Sequence, residues 1–95
     1  MKLPRKITIS GFEVKIVYKK KVVADNDECF GYYDPPIKTI FLQKRMYKTR
    51  KMETFIHELI HAIDDVYRLH IPETKTNTLA LALVHVLIDN KIKLF

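Results

Sequence analysis

The hydrophobic period of this chain changes once, near Lys48, and that change constrains the fold more than any other feature. Before it, apolar residues alternate along short runs; after it, they recur every three to four residues. Met52, Phe55, Ile56, Leu59, Ile60, Ile63 and Val66 follow the i, i+3, i+4 spacing of an amphipathic helix of about five to six turns. Its end falls near Arg68, because Ile71 precedes Pro72 and is pushed out of helical conformation. Pro72 suits the first position of a second helix, which runs to about Asn90. Within it, Leu79 to Ile88 is apolar nearly all round. This helix is expected to be the most buried element, wedged between the first helix and a sheet, or else to form a dimer contact.

Ahead of Lys48, Lys6 to Ser10 and Phe12 to Tyr18 are β-branched and aromatic runs broken at Ser10-Gly11, the pattern of a hairpin. Phe12, Val14, Ile16 and Tyr18 fall on one face of the second run, with Glu13, Lys15 and Val17 opposite, so the strand is half-buried. Ala24 to Glu28 is polar and turn-rich. Cys29 to Tyr33 and Ile37 to Leu42 flank Asp34-Pro35-Pro36, a second hairpin with two prolines in its turn. The expected fold class is therefore α+β: a small antiparallel or mixed sheet of three to four strands, then two long helices.

At 95 residues the chain supports one domain, spanning 1–95. So small a core leaves room for a bound metal to add stability. The 47% apolar and 29% charged content argues against disorder. Leu79 to Ile88 covers about half of the ~20 residues that a membrane span requires, and the basic N-terminus leads into no apolar signal core, so neither a membrane nor secretion is expected. A single cysteine, Cys29, excludes an internal disulfide framework and agrees with a cytoplasmic location. The net charge of +6 raises the question of a polyanion partner. In the sequence, however, Lys19-Lys20-Lys21, Lys44, Arg45, Lys48, Arg50 and Lys51 are scattered, with no aromatic-interleaved RNA platform or helix-turn-helix, which argues for a solvated surface and against nucleic acid.

The chemistry-bearing motif is His57-Glu58-Leu59-Ile60-His61, inside the first helix. Histidines four residues apart stand one above the other on one helical face, so their imidazoles can converge on one metal ion. Neutral imidazoles suit zinc, which takes about three protein ligands and keeps an open position when catalytic. Glu58 lies about 100° further round, too far to share the ion but able to reach a water on it. Zinc lowers the pKa of such a water to about 7, and the carboxylate can accept its proton.

Candidates for a third ligand are Asp64, Asp65, His70, Glu73 and His85. Asp65 continues the row beyond His61, but one straight helix cannot easily curl three ligands round an ion. Glu73 follows His61 by twelve residues, at the start of the second helix. The chain travels about 10 Å past His61 before the helix ends, and four or five connecting residues at about 3.3 Å each can bring it back. There the carboxylate gains from the positive end of the second helix. Asn77 shares its helical face and could hydrogen-bond a ligand imidazole. His70 reads as an exposed loop residue and His85 as a core histidine.

On Gly31-Tyr32-Tyr33-Asp34, Thr39 to Leu42, Glu53 to Ala62, and Glu73 to Asn77 followed by Leu79-Ala80, the chain resembles the gluzincins. These zinc peptidases take two histidines from an HExxH helix and a glutamate from the following helix. It is most similar to their minimal soluble, minigluzincin-type members and to small phage or prokaryotic ImmA/IrrE-type peptidases. The resemblance implies a minimal zincin-like domain and a zinc metallopeptidase activity. It implies His57, His61 and Glu73 as zinc ligands, Glu58 as general base, and a peptide or protein as substrate. Tyr67, His70 and His85 are candidates for stabilising an oxyanion. The strand Ile37 to Leu42 could pair with an extended substrate by β-addition. Two other readings compete: a regulatory module acting on one partner such as a repressor, and a non-enzymatic, zinc-stabilised domain binding nucleic acid. The tail Lys91 to Phe95 reads first as an ordinary frayed or packed terminus. Latency, with that tail lying over an open site, is the less favoured alternative, and a Cys29 thiol blocking the metal is less favoured still.

Overall fold

The computed structural model describes residues 2–94. The chain forms β1 (Lys6–Ile9), β2 (Phe12–Lys19), β3 (Val22–Ala24), β4 (Asp27–Cys29), β5 (Gly31–Asp34), β6 (Thr39–Gln43), α1 (Lys48–Tyr67) and α2 (Glu73–Asp89). A mixed four-stranded sheet has the order β1-β2-β6-β5, and β3 and β4 form a separate two-stranded sheet. The α+β class and the two successive helices match the sequence expectation.

Two tight turns set the hairpin registers. Ser10 and Gly11 take φ of 46° and 84°, and Asp25 and Asn26 take 52° and 67°. Two consecutive left-handed residues give a turn whose twist matches that of the strands it joins. The first aligns Ile9 with Phe12, and the second aligns Ala24 with Asp27. The β3–β4 hairpin was not expected, since its three-residue strands are too short to show alternation. It ends the expected Cys29 strand early: Cys29 closes β4, and β5 begins at Gly31. Ile37 likewise leaves the expected strand, because Pro35–Ile37 winds into a 3₁₀ turn and Lys38 takes a left-handed conformation before β6.

The sheet is filled from one side. Val14, Ile16, Tyr33, Ile40 and Leu42 join Phe55, Ile56 and Ile60 of α1 in one core, with Ala80 and Val84 of α2 completing it. β6 lies between β2, which it pairs in parallel, and β5, which it pairs antiparallel. Both of its edges are occupied, which corrects the expectation that Ile37 to Leu42 could receive a substrate strand. β5, not β6, is the outer strand on that side.

α2 is not the most buried element. Thr76, Ala80 and Val84 are its buried residues, whereas Leu79, Leu81, Leu83, Val86 and Ile88 are each at least 40% exposed. α1 already covers the inner face of the sheet, so α2 packs on α1 and turns the rest of its circumference outward. His85 is exposed as well, not a core histidine. The expected dimer contact would fall on this outward apolar side. No helix among the described residues is long and apolar enough to cross a membrane.

Candidate metal centre

α1 supplies the centre because its two sides do different work. Phe55, Ile56 and Ile60 anchor it in the core, which leaves His57 and His61 half-buried on the adjoining side, facing α2. Arg68 and His70 adopt left-handed conformations, at φ 53° and 57°, and turn the chain back after α1. Asp64 holds this turn: its Oδ1 and Oδ2 accept the backbone N–H of His70 at 2.6 Å and of Ile71 at 3.2 Å. Asp64 is thus committed to the connection that returns Glu73 to the histidines, and is not itself a ligand.

The donors converge. His57 Nε2 lies 2.8 Å from Glu73 Oε1, His61 Nε2 lies 3.1 Å from Glu73 Oε2, and the two Nε2 atoms are 3.1 Å apart. Among the described residues, His57, His61 and Glu73 are the group whose donor atoms gather tightly enough to hold a cation, all within 4.8 Å of one another. Tetrahedral zinc with bonds of about 2.0–2.1 Å separates its ligand atoms by roughly 3.3 Å, so the group fits such an ion after shifts of a few tenths of an ångström. Two imidazoles and one carboxylate also leave a coordination position open. Burial, ahead of the neighbouring charges, holds the His61 ring below the usual imidazole range, which favours the neutral form a cation needs.

Glu58 stands next to this group but outside it. Its Oε2 is 4.0 Å from His57 Nε2, and the residue is only 7% exposed. Burial first, then the Glu73 charge, pushes its carboxyl up to about 7, against a hydrogen bond from the Tyr33 backbone. A carboxyl poised near neutrality can both take and return a proton.

The remaining candidates separate by geometry. Asp65 Oδ2 accepts Tyr33 Oη at 2.6 Å and Lys38 Nζ at 2.9 Å, which turns the carboxylate toward the sheet and ties α1 to β5. These two partners hold the Asp65 carboxyl below its ordinary value. Asn77 shares a shallow pocket with His57 and Glu58, but no hydrogen bond joins it to either histidine among the described residues. Of the oxyanion candidates, His70 lines the cleft; Tyr67 Oη is hydrogen-bonded to Ser10 Oγ, and His85 lies on the outer side of α2.

The cleft over the centre has a volume of about 830 Å³ and is walled by Ala24, Cys29 and Tyr32 on one side and by Asp64, Arg68 and His70 on the other. The unanticipated β3–β4 hairpin therefore contributes part of the cleft wall. Cys29 lines the cleft without joining the donor group, and burial, followed by the Glu58 charge, pushes its thiol up. The tail does not cover the site. Leu94 packs against the core, and α2 carries the chain about 25 Å from Glu73 before the tail begins. Phe95, the last residue of the expected plug, lies outside the described residues.

Comparison of the chain with protein-family models, with curated proteins and with solved structures finds no match.

Proposed function

We propose that this chain is a zinc-dependent metallopeptidase of minimal zincin-like, gluzincin-type architecture. One observation carries the reading. Donor atoms of His57, His61 and Glu73 meet within 4.8 Å, while the buried carboxyl of Glu58 is kept 4.0 Å to one side. A site that only braces the fold has no use for a buried, unligated acid beside it. Zinc bound there would supply Lewis acidity toward a scissile carbonyl.

The chain's own residues do the rest. Glu58 Oε accepts the proton of the attacking water and returns it to the leaving amine, so it ends each turnover in its starting state. The backbone N–H of Tyr33 orients Glu58 from β5 and stabilises the charged form in which it begins and ends each turnover. β5, the outer strand of the sheet, and the Ala24–Cys29 hairpin give an extended peptide one wall; Arg68 and His70 give it the other. His70 is the oxyanion candidate that this geometry favours, since it alone of the three lines the cleft. A single free cysteine, with no disulfide to form within the chain, supports a reducing cytoplasm as the compartment.

The test is Glu58→Gln, assayed with zinc content measured alongside cleavage of an unfolded protein substrate. The variant should retain a full equivalent of metal and lose cleavage by about 10²-fold or more, within the range for a general base. Undiminished cleavage would remove Glu58 from its role, and loss of metal would show that it is a ligand.

A further inference from the structure

The basic residues that are dispersed in the sequence gather at one end of the fold, opposite the α1–α2 connection. Between Lys44 and Lys51, five of eight residues are cationic and none is acidic. The backbone N–H of Lys44 donates to Lys19 O at 2.7 Å, which brings the end of β2, and with it Lys20 and Lys21, alongside. One hollow here is walled by Lys2, Arg5, Lys44 and Lys51. A second, sharing Lys44, is walled by Phe30, Arg45, Met46, Tyr47 and Arg50. None of these cations forms an ion pair among the described residues.

The start of α1 sharpens the imbalance. A helix N-terminus carries partial positive charge, and acidic side chains normally offset it. Here the first turn holds no acid and the cap, Tyr47, makes no side-chain hydrogen bond. Lys48, Arg50 and Lys51 add like charge to the same pole. Such an arrangement is self-repulsive until an anion arrives.

Aromatic rings stand among the cations. Tyr47 is 90% exposed and Phe30 is 47% exposed, and the Arg50 guanidinium lies 4.7 Å from the Phe30 ring centroid. Phosphates answer the cations, and flat π faces answer the rings. A single strand presents both together, whereas a duplex keeps its base faces stacked inside. We propose that this end of the protein, formed by the start of α1, residue Phe30 and the end of β2, binds single-stranded nucleic acid. The surface borders the metal centre at Phe30 and Arg50, which share a shallow pocket with His57 and Glu58. Lys44, Arg45 and Tyr47 line neither that pocket nor the cleft, and the inference does not depend on the peptidase reading.

Fluorescence anisotropy of the full chain with a labelled oligothymidylate tests it. Binding should be tight at low salt and weaken linearly on a log–log plot, with a slope of about −0.7 per phosphate neutralised. Lys44→Gln should reduce the magnitude of that slope by about one phosphate's worth, whereas Lys75→Gln, the same charge change on α2, should leave it unaltered. Tyr47→Ala should weaken binding about tenfold at unchanged slope, since it removes a stacking face and no charge. Circular dichroism of each variant excludes unfolding as the cause. No binding at low salt, equal slopes for Lys44→Gln and Lys75→Gln, tighter binding of the matching duplex, or capture by phosphatidylserine vesicles in preference to the oligonucleotide would each overturn the proposal.

Discussion

At Gly31 β5 lies tight against α1, and adding one methyl there tests how tightly the cleft wall is held. A Cβ at this position would lie 2.6 Å from Thr54 Cγ2, 3.1 Å from Leu42 Cδ2 and 3.2 Å from the Phe41 carbonyl oxygen. Thr54 is a buried helix residue, so its methyl cannot swing into solvent. Overpacking of this kind costs about 1–3 kcal/mol. Alanine also restricts the unfolded chain, which offsets about 0.4–1 kcal/mol, because Gly31 has no positive φ to forbid the exchange. Gly31→Ala should thus lose about 0–2.6 kcal/mol, centred near 1.3 kcal/mol, in urea denaturation followed by circular dichroism, a fall in Tm of roughly 5–10 °C at the centre of that range for a domain of this size. Thr54→Ser removes the offending methyl and by itself should cost about 1 kcal/mol. In the double variant one methyl replaces the other, so stability should return to within about 1 kcal/mol of the parent. The resulting coupling of roughly 1–2 kcal/mol is well above the error for independent sites. A Gly31→Ala more stable than the parent, or two costs that simply add, would refute this packing.

Three further outcomes follow from the same geometry. Thr76 is fully buried, and its Oγ1 has no hydrogen-bond partner among the described residues, so Thr76→Val should raise stability by about 1 kcal/mol in urea. Asp65 is held below its ordinary carboxyl value in the fold by Tyr33 and Lys38, so its stabilising contribution is present above the unfolded carboxylate pKa and is lost as pH falls through the lower, folded one. Asp65→Asn should accordingly cost about 1–2 kcal/mol near neutrality and much less in strong acid, as read from urea midpoints across pH; a cost independent of pH would contradict the assignment. Glu73→Gln should leave the fold intact by circular dichroism and weaken zinc binding at least tenfold in a chelator competition, because a neutral amide replaces one of three donors. Unchanged affinity would exclude Glu73 as a ligand.

Most of this arrangement could be read from residue order because local chemistry and global packing agree there. The apolar row from Met52 to Val66 demanded one buried face, and two histidines four apart on that helix could only lie together. Pro72 marked the start of α2, and the short reach back from Arg68 made Glu73 the accessible acid. What escaped was set by tertiary context. Leu79 to Ile88 is apolar enough for a core, but α2 packs chiefly on α1, and only Thr76, Ala80 and Val84 of it are buried. The β3–β4 hairpin was hidden because strands as short as Val22–Ala24 carry no periodic signal, although Asp25-Asn26 is a favourable pair for its left-handed turn. Of the basic surface, the run from Lys44 to Lys51 was in plain view, but its joining to the Lys19 to Lys21 run was not: Lys19 and Lys44 are distant in sequence and meet through a backbone hydrogen bond across the end of the sheet.

Zinc titration of the metal-free protein, joined to X-ray absorption at the zinc edge, bears most directly on the central claim. The account predicts one saturable equivalent in a shell of two imidazole nitrogens and carboxylate oxygen at about 2.0–2.2 Å, with no sulfur scatterer. It also predicts that a His57→Ala, His61→Ala double variant abolishes that shell. Zinc bound equally well by the double variant, or a shell containing the sulfur of Cys29, would contradict it.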